Sequence, residues 1–349
     1  MHHFAFMHRC LDLAQLGRGR VGNGALVGAV LVRESRVIAE AFHEAFGGAH
    51  AERRLLDSFT EQVEPTDVLY VNLEPCCHQG MTPPCTDIII QRGMKTVVFG
   101  MIDPDNRVSG QGIEALKKAG VEVIGPIERA LCEYFNRGFV SLRTKNRPWI
   151  TLKMAKNSAG KTSNEDGSRL KITSNDQDSW AHVHLRARHD AILVGIGTVL
   201  SDNPSLNIRF DQKSFFTQME GLNGDSKISK NSFQPYRIIL DPQFRIQETA
   251  NVVCDDHQER TIVCVEEKAV NADLKKVKIL KEKGLMLLTV PIRENFFDMD
   301  MLFTSLTTPQ EQFTGIASVL VEGGPKTWEA FRRRGIMDEE VTLTGPASS

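Results

Sequence analysis

The run His50-Ala51-Glu52, followed by Glu74-Pro75-Cys76-Cys77-His78-Gln79-Gly80-Met81-Thr82-Pro83-Pro84-Cys85, constrains this chain more than any other feature. Within it the imidazole of His50, the thiols of Cys76 and Cys85 and the carboxylate of Glu52 can act together only if two separated segments turn back on each other. Gly47-Gly48 precede the first segment, and Ala51-Glu52-Arg53-Arg54-Leu55-Leu56 reads as a helix, placing His50 and Glu52 at its first turn. Asp67–Leu73 is strand-like and separates the two segments. Pro75-Cys76 is predicted to open the next helical turn, where backbone N–H groups and the helix dipole favour a thiolate.

These residue types suit a particular chemistry. An imidazole and two thiolates hold Zn²⁺ tetrahedrally and leave a fourth position for water, and a Glu that does not bind the metal can move protons, as zinc deaminases require. His50, Cys76 and Cys85 are therefore candidate zinc ligands, and Glu52 the candidate catalytic acid/base. Zinc lowers the pKa of its water from about 15.7 to about 7. The resulting hydroxide attacks an amine-bearing ring carbon, while Glu52 carries protons to the ring nitrogen and to departing ammonia. A structural zinc site is the competing reading; it prefers four protein ligands, and Cys77 and His78 are available as the fourth. Cys77 is awkwardly placed for the ion that its neighbour binds, which favours the open site.

Composition narrows the class by exclusion. A net charge of −2 and 7% aromatic residues offer no basic or stacking surface for nucleic acid. No 18-residue apolar run or signal-peptide core is present, which points to a cytoplasmic protein without a membrane partner. Seven cysteines, two of them proposed ligands, suit a reducing compartment better than a disulfide framework. The 349 residues, 41% hydrophobic, are enough for about two domains. Strand and helix signals alternate throughout, predicting α/β architecture with helices on both sheet faces. They run as helix Phe4–Leu16, strands Leu26–Val32 and Arg36–Phe42, helices near 50–59, 86–92 and 110–119, strands 67–73, 95–101 and 121–124, and helix 127–142. The basic break Lys145-Asn146-Arg147-Pro148 sets the expected domains at 1–145 and 146–349.

The second half begins with strand Trp149–Ala155 and helix Asn175–Arg188. Strand Asp190–Val194 then enters the Gly-rich turn Gly195-Ile196-Gly197-Thr198, and Val321-Glu322-Gly323-Gly324-Pro325 repeats the strand-to-turn-to-helix pattern. Such turns cradle phosphate with backbone N–H groups, and two of them can flank one dinucleotide crevice; a plain tight turn is the competing reading for either alone. Segment 211–234 is polar and aperiodic, a loose surface loop before it is a lid.

Spacing carries the family resemblance. Nucleoside and tRNA deaminases usually carry PCxxC, whereas eight residues separate Cys76 from Cys85 here. With Val27-Gly28-Ala29-Val30, Phe42-His43, Asp103-Pro104-Asp105-Asn106 and Val108-Ser109-Gly110-Gln111-Gly112, this resembles the deaminase half of the bifunctional riboflavin-biosynthesis deaminase/reductases. The run from His184 through Gly195-Ile196-Gly197-Thr198 to Leu206, with Glu322-Gly323-Gly324, resembles their reductase half.

The resemblance implies a cytidine-deaminase-like three-layer α/β/α domain followed by a dihydrofolate-reductase-like α/β domain. It implies zinc in the first and NADPH in the second. The implied reactions are deamination of 2,5-diamino-6-ribosylamino-4(3H)-pyrimidinone 5′-phosphate, then reduction of its ribosyl chain to ribityl. It also implies a small phosphorylated pyrimidine as partner and a homo-oligomer, dimer or tetramer. Residue by residue, Asn23, His43, His78 and Thr82 would line the pyrimidine pocket. Lys153, Ser168, Arg186, Leu206, Arg209 and Glu322 would face the ribosyl phosphate, where guanidinium groups match phosphate oxygens. Ala155, Lys171, Thr198, Asp202, Gly323 and Gly324 would face NADPH, although Asp202 before Asn203-Pro204 also suits a turn cap.

The chain departs from the family at several points. Gly22-Asn23-Gly24 replaces Pro-Asn-Pro, which is expected to loosen the loop that presents Asn23. Met81 stands where a cation is common, and Asn157-Ser158-Ala159-Gly160-Lys161 replaces SLDGK. The C-terminus reads as short, with Val341–Thr344 the last strand signal. These departures leave one alternative within the family, a deaminase whose reductase half is only a scaffold. Outside it stand a zinc-stabilised binding protein and a nucleic-acid deaminase.

Overall fold

A computed structural model describes residues 3–106, 108–161, 172–209 and 233–345. The chain divides into two compact units, one of Met1–Asn146 with Pro309–Ala317, the other of Arg147–Thr308 with Ser318–Ser349. The return of Pro309–Ala317 to the first unit is a tertiary event that a linear boundary does not register. Among the described residues no helix is long and apolar enough to cross a membrane.

The first unit is built on a five-stranded sheet of order β2-β1-β3-β4-β5. The strands are β1 Gly28–Arg33, β2 Arg36–Phe42, β3 Val68–Leu73, β4 Thr96–Met101 and β5 Glu122–Ile124. β1 runs antiparallel to β2 and β3, while β3, β4 and β5 are parallel. Every residue of β3 is buried, which is why Val68–Leu73 is apolar on both faces except for Asn72. The helices are α1 His3–Gln15, α2 Ala51–Ser58, α3 Cys85–Gln91, α4 Gln111–Lys118, α5 Arg129–Phe135 and α6 Arg137–Lys145. α2 buries Ala51, Glu52, Leu55 and Leu56, so one face carries both core leucines and the candidate acid/base.

The expected helix 127–142 is two helices, broken at Asn136. The cause is a buried amide. Asn136 Oδ1 accepts the Leu26 N–H at 2.8 Å, and its Nδ2 donates to Leu26 O at 3.0 Å. Asn72 completes the clamp: its Nδ2 donates to Leu26 O at 2.9 Å, and its Oδ1 accepts the Gly28 N–H at 2.8 Å. The loop leading into β1 is thus held by side chains as well as by the His43 N–H, which donates to Val27 O at 2.8 Å.

The second unit carries a seven-stranded sheet of order β10-β9-β8-β7-β13-β6-β14. These strands are β6 Trp149–Lys156, β7 Ala191–Gly195, β8 Tyr236–Leu240, β9 Thr261–Val265, β10 Met286–Thr289, β13 Ser318–Val321 and β14 Glu339–Thr344; β11 Ile292–Arg293 and β12 Phe296–Phe297 form a separate hairpin. All six ladders of the large sheet are parallel. β9 and β13 are buried throughout, whereas the edge strand β14 alternates between half-buried and exposed. Helix α7 covers Asn175–His184 and begins with a capping box between Ser174 and Gln177. It stops short of the expected Arg188; Arg186–Arg188 form a 3₁₀ turn. Helix α8, Ile196–Asp202, follows β7 directly. Of the loop expected over 211–234, residues 211–232 lie outside the described residues. Gln234 accepts the Ile208 N–H through Oε1 at 2.8 Å.

Candidate active sites

In the first unit, His50 is the N-cap of α2, with extended backbone (φ −66°, ψ 159°), so its ring leaves the helix as Glu52 enters it. The expectation that Pro75-Cys76 opens a helical turn is corrected: both lie in an irregular segment after β3, and Cys85 is the first residue of α3. The helix terminus nevertheless serves Cys76, because the Cys85 N–H donates to Cys76 Sγ at 3.3 Å. Cys76 Sγ and Cys85 Sγ each lie 3.4 Å from His50 Nδ1, and the three atoms all fall within 4.8 Å of one another. Bonds of about 2.0 Å to nitrogen and about 2.3 Å to sulfur around a tetrahedral zinc put N and S about 3.5 Å apart, so the donor set fits that ion.

The two thiols share one hydrogen bond. Hydrogen bonds from Cys85 and His50 lower the Cys76 thiol below its ordinary range. That same contact, followed by burial, pushes Cys85 up. Glu52 is only 3% exposed, and burial raises its carboxyl to about 7 against partial opposition from His50. A carboxyl balanced near neutrality can both accept and return a proton.

The candidate pocket residues are unevenly placed. His43 is buried and stands edge-on to His50, with centroids 5.5 Å apart. Its Nδ1 donates to Ala49 O at 3.1 Å, which leaves Nε2 as an acceptor, and burial lowers its pKa. Thr82 Oγ1 is buried without a hydrogen-bond partner in the protein. His78 and Met81 are exposed on the intervening turn. Asn23 is half-buried, and its N–H donates to Thr314 O at 3.0 Å. Gly22 does not loosen this loop as expected. It sits at φ +58°, which proline cannot adopt, and a Cβ there would lie 2.1 Å from Thr314 O. The turn is pinned by close packing that only glycine permits.

In the second unit the two Gly-rich turns leave the C-terminal ends of the adjacent parallel strands β7 and β13. Gly195 and Gly323 both pack against the Thr327 side chain, and Gly324 caps helix Pro325–Arg333. Arg186 and Glu322 are spent on each other: Nε donates to Oε1 at 3.0 Å and Nη2 to Oε2 at 2.6 Å, while Nη1 donates to Asn207 O at 2.9 Å. Burial favours the neutral carboxyl, but Arg186, with help from Lys153, outweighs it and holds Glu322 at about 2. Leu206 is buried at φ +50°, an uncommon conformation for a branched side chain. The Arg209 N–H donates to His182 Nδ1 at 3.1 Å. Burial and the cations Arg186 and Arg209 drive His182 down to about 4, so it stays neutral. Ala155 on β6 is half-buried, as are Thr198 and Asp202 on α8, where Asp202 accepts the Ser201 hydroxyl at 2.8 Å. Ser168 and Lys171 lie outside the described residues.

Reading the sequence missed three residues here. Glu74 and Arg53 brace the cysteine segments, Arg53 by donating to Pro84 O at 3.4 Å, and His182 joins the arginine cluster. Each is an ordinary residue of its segment, and only Glu74 falls inside a motif.

Comparison with known proteins agrees with this two-site arrangement. The cytidine and deoxycytidylate deaminase zinc-binding region matches residues 1–101, and the RibD C-terminal domain matches residues 148–348. The chain is 34% identical over 342 residues to the riboflavin biosynthesis protein RibD of Aquifex aeolicus, covering 98% of this chain and 86% of that protein. It is 30% identical to RibD of Escherichia coli, covering 98% and 87%. Among solved structures, a diaminohydroxyphosphoribosylaminopyrimidine deaminase/5-amino-6-(5-phosphoribosylamino)uracil reductase from Thermotoga maritima superposes with a TM-score of 0.75 at 33% identity, covering 99% of this chain and 87% of that one. RibD of Acinetobacter baumannii gives 0.77 at 29% identity, with the same coverage. A zinc-binding deaminase region and a RibD C-terminal domain on one chain, aligned nearly end to end with RibD proteins, mean that the chain belongs to the RibD family of riboflavin-biosynthesis proteins.

Proposed function

We propose that this chain carries out two consecutive steps on one phosphorylated pyrimidine. The first unit hydrolyses an exocyclic amine of 2,5-diamino-6-ribosylamino-4(3H)-pyrimidinone 5′-phosphate to ammonia. The second reduces the ribosyl chain of the product to ribityl with hydride from NADPH. The observation that carries the reading is the convergence of His50 Nδ1, Cys76 Sγ and Cys85 Sγ beside the buried Glu52, on a chain that also bears a RibD C-terminal domain.

His50, Cys76 and Cys85 would hold zinc, which when bound supplies the Lewis acidity that makes water nucleophilic at neutral pH. Glu52 takes the proton of the attacking water, gives it to the ring nitrogen, and protonates the leaving amine. Asn23, His43, His78 and Thr82 orient the pyrimidine. In the second unit Lys153 and Arg209 would neutralise the phosphate, with Ser168 and Leu206 beside it, while Arg186 and Glu322 brace each other. Ala155, Lys171, Thr198, Asp202 and the Gly323-Gly324 turn face the dinucleotide; placement of nicotinamide against C1′ is the protein's main contribution. Membership of the family supports NADPH as donor, self-association, and residence in the cytoplasm.

The test is a pair of half-reactions on one preparation. Ammonia release from the diamino substrate and NADPH oxidation that appears only with the deaminated product are expected. NADPH oxidation before deamination, or none with the deaminated product, refutes the sequence of steps.

A further inference from the structure

Glu74 belongs to the zinc-site motif, yet its carboxylate is bonded to a different part of the chain. Its carboxylate is buried at 4% exposure and collects backbone N–H groups from the segment Asp103–Ile113. Oε2 accepts from Asp103 at 3.1 Å and Gly110 at 2.9 Å; Oε1 accepts from Gly112 at 3.0 Å and Ile113 at 3.4 Å. An amide side chain has one acceptor oxygen and would turn donors toward two of these N–H groups, so only a carboxylate satisfies all four. Glu74 N–H itself donates to Met101 O at 2.8 Å.

The next two residues inherit this anchorage. Pro75 O lies over Gly112 so closely that a Cβ there would stand 1.9 Å away. Cys76 O accepts the Thr86 N–H at 3.1 Å, and Cys76 Sγ accepts the Cys85 N–H. The Cys76 peptide is thus gripped by the Glu74 hub on one side and the first turn of α3 on the other. We propose that Glu74 is a positioning residue for the metal site, its carboxylate fixing Cys76 Sγ against His50 by binding the backbone N–H groups of Asp103, Gly110, Gly112 and Ile113. This rests on His50, Cys76 and Cys85 being the metal ligands. Its consequence is that Asp103–Ile113, remote in sequence from every ligand, sets the geometry of one of them.

The experiment loads the full chain with Co²⁺ in place of zinc and compares it with Glu74→Gln. Expected are a weakened or displaced cysteine-to-cobalt charge-transfer band, and loss of metal to a chelator at least about tenfold faster, in the range for residues that support ligands. Reductase turnover of the deaminated substrate should be unchanged, which separates this from general unfolding. If Glu74→Gln yields no folded protein, Glu74→Asp, which keeps the charge but withdraws it by one methylene, should shift the band in the same direction. A band and a release rate identical to the parent in a folded variant overturn the proposal. A parent chain that binds cobalt without any thiolate band refutes the ligand assignment itself, and this proposal with it.

Discussion

Replacing Glu322 by Gln should destabilise the second unit by about 3 kcal/mol at pH 7. The estimate follows from the carboxyl being held at about 2 instead of 4.5, a preference for the ionised form of about 1.4 kcal/mol per pH unit. The side chains of Glu322 and Arg186 are only 8% and 14% exposed, so solvent screening removes little of it. Breaking a buried pair by removing one partner costs about 3–5 kcal/mol by a separate route, which agrees. The sign follows from the depressed value. Stabilisation by Glu322 is complete above the unfolded carboxyl range and is lost as pH falls through about 2, with roughly half remaining at pH 3. Urea unfolding followed by tryptophan fluorescence reads the right unit, because Trp149, Trp180 and Trp328 are the three tryptophans of the chain and all lie in the second. The difference between parent and Glu322→Gln should be about 3 kcal/mol at pH 7 and shrink below pH 4.5. A difference under about 1 kcal/mol at pH 7, the range of an exposed pair, would refute the closed Arg186–Glu322 pair, as would a difference that does not shrink on acidification.

Glu52→Gln should leave metal content unchanged and lower ammonia release by about 10²- to 10⁴-fold, as loss of a positioned acid/base does; retained turnover would remove Glu52 from the mechanism. Gly112→Ala must displace Pro75 O, 1.9 Å from the new Cβ, so the isolated variant should lose metal during dialysis while the reductase persists. Full metal retention would show that the Cys76 segment shifts freely. Asn136→Ala deletes two hydrogen bonds to Leu26 and strands its N–H, and should cost the first unit about 1–3 kcal/mol in thermal or urea unfolding. Asn136→Asp turns an acceptor toward Leu26 O in place of the donor and should be no more stable than Asn136→Ala at pH 7.

The convergence of His50, Cys76 and Cys85 was legible because the proposed chemistry needs particular residue types in close order along the chain, and the family spacing gave the rest of the motif. Both Gly-rich turns were legible too, since each is a strand entering a helix through glycine. The break at Asn136 was not. Its helical periodicity continues on both sides, and the cause is an amide bonded to Leu26, which is 110 residues away. Strands β8, β9 and β10 escaped for a related reason. They are short apolar runs, which alone do not distinguish a buried strand from a piece of buried helix.

By itself, then, the amino-acid order marked out the groups that matter: His50, Cys76, Cys85, Glu52 and two glycine turns. The chemistry of the His-Cys-Cys-Glu set points to a zinc deaminase, and the family resemblance adds a reductase. Only the tertiary structure decided how those groups are held and what state they are in. Burial raises Glu52, hydrogen bonds lower the Cys76 thiol, and Glu74 ties the segment that carries Cys76 to Asp103, Gly110, Gly112 and Ile113. The reason is physical. Composition and local periodicity are properties of neighbours in the chain, whereas desolvation and hydrogen bonding depend on which distant segments exclude water together.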